Sequence, residues 1–68
     1  MSKPIQAYQT RVLLEKADLD GKISSLSFFL ISKSGDVDKA ELDRLDVQLR
    51  IMRAYSGILK ARIEAFAS

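Results

Sequence analysis

Ile5, Val12, Leu19 and Leu26 follow one another at seven-residue steps, and Ile23 and Leu30 stand four residues after two of them. A period of 3.5 residues lays these on one stripe of an α-helix, the seam against which a second helix packs. Three residues past the seam come Tyr8, Glu15, Lys22 and Phe29. An edge mixing rings with ions sits half in water and half out. Further along, Leu45, Met52, Leu59 and Phe66 repeat the seven-residue step, with Leu42, Leu49 and Ile63 beside them and a break at Ser56. Ile51, Ile58 and Ala65, flanked by Val47, Ala54 and Ala61, form another apolar line outside that seam, and the clearly polar stripe is narrow. A helix so nearly apolar all round needs cover on more than one side. Alternation of period two, the mark of a strand, is absent.

Local signals set the boundaries. Ser2, Lys3 and Pro4 read as the start of a helix, with serine as cap and proline in the first turn, where its missing N–H costs nothing. That helix runs to about Lys33. Gly21 interrupts it at a cost of about 1 kcal/mol relative to alanine, which predicts close approach of a neighbouring helix; a bend that opens a pocket is the other reading. Burial of Phe28, Phe29, Leu30 and Ile31 is expected to offset the weak helix formers Ser24, Ser25 and Ser27. Ser34-Gly35 is the stop, with Gly35 suited to the left-handed conformation that ends helices. Asp38 and Glu41 have the spacing of an acidic capping box, so a second helix starts near Lys39 and runs to about Phe66. Two helices of about 28 residues, or about 42 Å each, joined by a short loop lie antiparallel. The expected fold is all-α: an antiparallel two-helix hairpin over residues 1–68, packed into a homo-oligomeric helical bundle.

Composition strengthens the case for assembly. A chain of 68 residues hides only about 60% of its unfolded surface, and this one has neither cysteine nor histidine to hold a disulfide or a zinc ion. With hydrophobic content at 47%, association with further copies is the remaining support. Eleven basic residues against nine acidic leave a net charge of +2. The charges are interleaved, as in Glu15-Lys16 and Asp43-Arg44, which argues against binding polymeric nucleic acid. No apolar run approaches the about 20 residues of a membrane span, and MSKPIQAYQT lacks the apolar centre of a signal peptide. The expected location is the cytoplasm.

Catalysis finds little to work with. Without His or Cys there is no ordinary base, nucleophile or soft metal ligand. Asp18 and Asp20 point to different faces, Asp43 and Asp46 share a solvated stripe, and no glycine-rich phosphate loop occurs. The chain is expected not to be an enzyme and to need no cofactor or metal. Binding is better served. Tyr8 offers a ring near the N-terminus, or simply a staple of the first turn against the neighbouring helix. Lys22 offers a cation, or a snorkelling stem that covers the seam. Arg11 is placed to pair with Glu15 at i, i+4. Met52 and Tyr55 read as core.

The strings YQTRVLLEKADLDGKISSLSFFL and LDRLDVQLRIMRAYSGILKARIEAF resemble a family of short phage helical-hairpin proteins. The shared pattern is R-V-x-x-E-x-x-x-L-x-x-K-I-x-x-L-x-x-F, met here by Arg11, Val12, Glu15, Leu19, Lys22, Ile23, Leu26 and Phe29. Its second part, L-x-x-Q-x-x-x-M-x-x-Y-x-x-x-L-x-x-R-I, is met by Leu45, Gln48, Met52, Tyr55, Leu59, Arg62 and Ile63. Characterised members are anti-CBASS sponges: hexamers that sequester the cyclic oligonucleotide alarm signals of bacterial antiviral systems without cleaving them. The resemblance therefore implies a phage protein of the host cytoplasm that binds cyclic dinucleotides between subunits. It assigns that role to Tyr8, Gln9 and Lys22, with Arg11 beside them. A separate site for cyclic trinucleotides falls on Arg53. Tyr8 and Lys22 are 14 residues apart, about 21 Å along a straight helix. One small ligand reaches both only if the first turn bends back or two antiparallel subunits bring them together. The competing reading is an oligomeric interaction module that binds a host or phage protein and asks nothing of either residue.

Overall fold

The structure is a computed structural model and describes residues 5–67. It contains helix α1 (Ala7–Ser32), a 3-10 turn (Ser34–Asp36) and helix α2 (Lys39–Ala65). The two long helices pack against each other as a hairpin, as the seven-residue lines require. No helix among the described residues is long and apolar enough to cross a membrane.

The ends of the helices depart from expectation in instructive ways. The anticipated cap at Ser2, Lys3 and Pro4 lies outside the described residues, and α1 begins only at Ala7, with Gln6 extended at its N-cap. The reason is Gln9, whose Oε1 accepts the Gln6 backbone N–H at 2.7 Å and so occupies a donor that would otherwise have no partner. At the other end Gly35 is not left-handed, for no described residue has positive φ. The chain instead tightens into the 3-10 turn, where Asp36 N–H donates to the Lys33 carbonyl at 3.3 Å and Val37 N–H to that of Ser34 at 3.2 Å. These bonds occupy the carbonyls of Lys33 and Ser34, in the turn that joins the helices. Asp38 caps α2 as read, accepting the Glu41 N–H at 2.8 Å. The Glu41 carboxylate is drawn to Arg44 Nε, also at 2.8 Å.

The seam is thin. Val12, Leu19, Leu49 and Leu59 are buried, and Ile23, Met52, Ile63 and Phe66 pack around them half-covered. Ser56, the break in the apolar line of α2, donates its hydroxyl to Asp20 Oδ1 at 2.6 Å, while Lys16 Nζ binds Asp20 Oδ2 at the same distance. On the same side, Arg53 Nη2 donates to Ser27 Oγ at 3.2 Å. These cross-helix bonds fix the register polar group to polar group.

Burial of the run from Phe28 to Ile31 is only half realised. Phe29 and Leu30 are partly covered, whereas Phe28 is 66% and Ile31 85% exposed. Tyr55 is likewise 43% exposed and not core. The molecule is a rod of 54 × 15 × 15 Å with a radius of gyration of 15.8 Å, against about 11 Å for a compact chain of this length. Its surface of 5305 Å² exceeds by about 1,000 Å² that of a globular monomer of its mass.

Asp20 titrates in a way that exposes the polar crossing to test. The bond from Lys16, then that from Ser56, hold its carboxyl below the ordinary aspartate range. A depressed folded value contributes stability above the unfolded pKa of about 3.9, and that contribution is lost as pH falls through the folded value. Acid unfolding followed by circular dichroism should therefore show a stability loss below about pH 3.9 that Asp20→Asn flattens. An unchanged acid limb in the variant contradicts this account.

Candidate functional site

The predicted site residues divide among different parts of the hairpin. Tyr8 and Arg11 lie in the first turns of α1, one turn apart and both exposed. No ion pair joins Arg11 to Glu15 among the described residues, so the expected pairing is not made and the guanidinium faces water. Tyr8 is half-exposed. Its ring packs edge-to-face on Phe66, with centroids 5.9 Å apart and planes at 87°, so the first-turn staple is one thing this residue does. Gln9 is partly covered and its carbonyl oxygen is spent on the cap of α1, which leaves its NH₂ group as donor.

Lys22 lies two further heptads along, about 21 Å from Tyr8 by helical rise. The first turn does not fold back toward it, since α1 is unbroken from Ala7 to Ser32. Its ammonium pairs with Asp18 at 3.2 Å, both side chains being about two-thirds exposed. Such a surface pair is worth about 0–1 kcal/mol, so an incoming anion displaces Asp18 cheaply. Both residues rim a groove of ≈ 540 Å³ whose walls are Ala17, Gly21 and Ser25 on α1 and Gln48 and Met52 on α2. The groove is open, and a lysine with its aspartate partner, a hydroxyl, an amide and a thioether line it. That donor set suits a phosphate beside a flat apolar group.

Arg53 belongs elsewhere. Its partner Ser27 is five residues beyond Lys22, which places it about 140° around α1. Arg53 therefore occupies the opposite flank, bound to Ser27, and the structure does not bring it near the other four residues.

Gly21 changes meaning. A Cβ built there would meet nothing within 4 Å, so the expected close approach of a neighbouring helix is not made within this hairpin. The helix also continues through it. Gly21 is one of the residues that line the groove beside Lys22. Gln48, Met52 and Phe66 enter the site region only through the fold, although the line Leu45, Met52, Leu59, Phe66 already pointed two of them at α1.

A family model described as Sequestin matches residues 6–65. No curated protein and no solved structure matches the chain.

Because no neighbour stands over Gly21, Gly21→Ala should stabilise the hairpin by about 0.4–1 kcal/mol through helix propensity and a stiffer unfolded chain. Thermal unfolding checks this. A fall in melting temperature would show that another copy of the chain packs into the groove, as overpacking costs about 1–3 kcal/mol.

Proposed function

From its membership of the Sequestin family, to which the chain belongs over residues 6–65, we propose that this protein sequesters a cyclic oligonucleotide and holds it without cleaving it. In the fuller form of this reading it is a phage-encoded sponge that blocks CBASS signalling in the host cytoplasm. The family match carries the proposal, and the word in its name points to sequestration. The geometry lends support through the exposed ring of Tyr8 and the groove beside Lys22, which lie on one flank of α1. A cyclic dinucleotide carries two phosphates and two bases, so it needs cations and flat apolar surfaces together. A base stacked on an aromatic ring is worth about 1–3 kcal/mol.

The separation along α1 makes the site a shared one. Two copies of α1 lying antiparallel about a two-fold axis at Glu15 set Tyr8 of each against Lys22 of the other and generate two equal pockets. Arg11 of each copy then stands about one turn, or 6 Å, from the axis and neutralises the paired Glu15 carboxylates. The apolar line Val47, Ile51 and Ile58, each more than half exposed, supplies a second contact surface. Its cover by further copies accounts for the excess of about 1,000 Å² over a globular monomer, comparable to the about 800 Å² each partner gives to a standard interface. A hexamer, as in the anti-CBASS sponges the sequence resembles, uses both surfaces.

Calorimetric titration with a panel of cyclic di- and trinucleotides tests the function, with chromatography of the released ligand to show that it is intact. Tyr8→Ala and Lys22→Ala should each weaken cyclic dinucleotide binding about ten- to a hundredfold, the loss of a stacking or charge-assisted contact of about 1.5–3 kcal/mol. Mixing the two variants should restore part of the binding, because some hybrid pockets keep both residues. Wild-type affinity in both variants overturns the site and favours the interaction module.

Light scattering tests the assembly. The native protein should scatter as a multiple of the 7.6 kDa chain, and Ile58→Asp should reduce that mass while leaving the hairpin helical. A fully helical monomer in the native protein rules the assembly out.

A further inference from the structure

We infer that Phe66 is a positioning residue for ligand binding: it holds the ring of Tyr8 in the orientation a base stacks on. The inference rests on the reading of Tyr8 as the stacking surface. Tyr8 is the second residue of α1, in a first turn whose N–H groups have no partners within the helix and which frays most readily. The Gln6–Gln9 bond fixes the backbone of that turn but does nothing for the ring. Phe66 does. It follows the last residue of α2, and it packs partly buried against the cluster of Val12, Leu19 and Leu59. Phe66 is thus anchored against the buried cluster, and it reaches Tyr8 because antiparallel helices bring the start of α1 beside the end of α2.

The form of the contact matters. Rings at 5.9 Å and 87° meet edge to face, the arrangement the ring quadrupole favours. Tyr8 remains 50% exposed, so the contact sets the orientation of the ring and leaves part of it bare. A ring fixed before the ligand arrives loses less freedom on binding, and one immobilised side chain is worth about two- to tenfold in affinity. Phe66 therefore acts on affinity through Tyr8 without touching the ligand.

The test compares Phe66→Leu, which keeps apolar volume but removes the ring, with Phe66→Tyr, which keeps the ring. Both are made in a Tyr55→Phe background, so that near-ultraviolet circular dichroism reports Tyr8 alone in Phe66→Leu and its parent, and cyclic di-AMP and cyclic di-GMP are the probes. Phe66→Leu should keep helicity and assembly mass, weaken the Tyr8 signal and lower affinity about two- to tenfold. Phe66→Tyr, read by affinity alone because it adds a tyrosine of its own, should restore binding. Undiminished affinity in Phe66→Leu overturns the inference, as does a loss that follows helicity and is not restored by Phe66→Tyr. If Tyr8→Ala abolishes binding while Phe66→Leu leaves it intact, only the positioning role falls. If the protein with both native aromatic residues binds neither probe, the cyclic dinucleotide site at Tyr8 falls first, and the wider panel decides the sequestering function.

Discussion

Two helices side by side can cover only one stripe of each other, and every other feature of this molecule follows from that limit. Here the stripe buries Val12, Leu19, Leu49 and Leu59 and half-covers a ring of neighbours. Each helix also carries apolar residues on other faces, and a single partner leaves these in water: Ile51 and Ile58 on α2, Phe28 and Ile31 on α1. The result is a rod with more surface than its mass warrants. A small core of this kind contributes few kcal/mol, so the outer apolar surface is where additional stability is to be gained.

Specific contacts then fix how the stripe is used. Asp20 with Ser56 and Arg53 with Ser27 cross the seam on one side, and Tyr8 with Phe66 closes one end. A slide of one helix along the other by a turn would separate all three pairs at once. On the opposite side no such bond spans the two helices among the described residues. Small residues of α1 face Gln48 and Met52 there, and the groove beside Lys22 opens. The hairpin thus has one flank tied by polar bonds and one flank left open, and the open flank carries the cation.

This division bears on the functional reading. Lys22 is held only by Asp18, an exposed partner on its own helix, so its charge is available at little cost. Arg53 is committed across the seam and sits on the other flank, which makes it a structural group first. Tyr8 staples one end through its edge contact with Phe66 and still presents bare surface. The helical rise between Tyr8 and Lys22 is what turns a ligand site into a question about assembly.

The sequence by itself determined the two helices, their antiparallel hairpin and most of the seam, though Ile5, placed on that stripe by spacing, lies before α1 and is 57% exposed. Hydrophobic spacing at 3.5 residues is a property of the chain, and it points to one face whatever the partner. Asp38 as cap of α2 was legible for the same reason, because a cap depends on residues three apart. The start of α1 was not, since the decision turned on a glutamine reaching back one turn, a choice among several local partners. Gly35 and Gly21 show the limit more clearly. A glycine permits a left-handed turn or a close approach but does not require either, and only the packed chain decided that neither occurs. Ser56 against Asp20 and Phe66 against Tyr8 were likewise invisible in the sequence as pairs. Their partners are distant along the chain, and the register that joins them exists only after the helices have met.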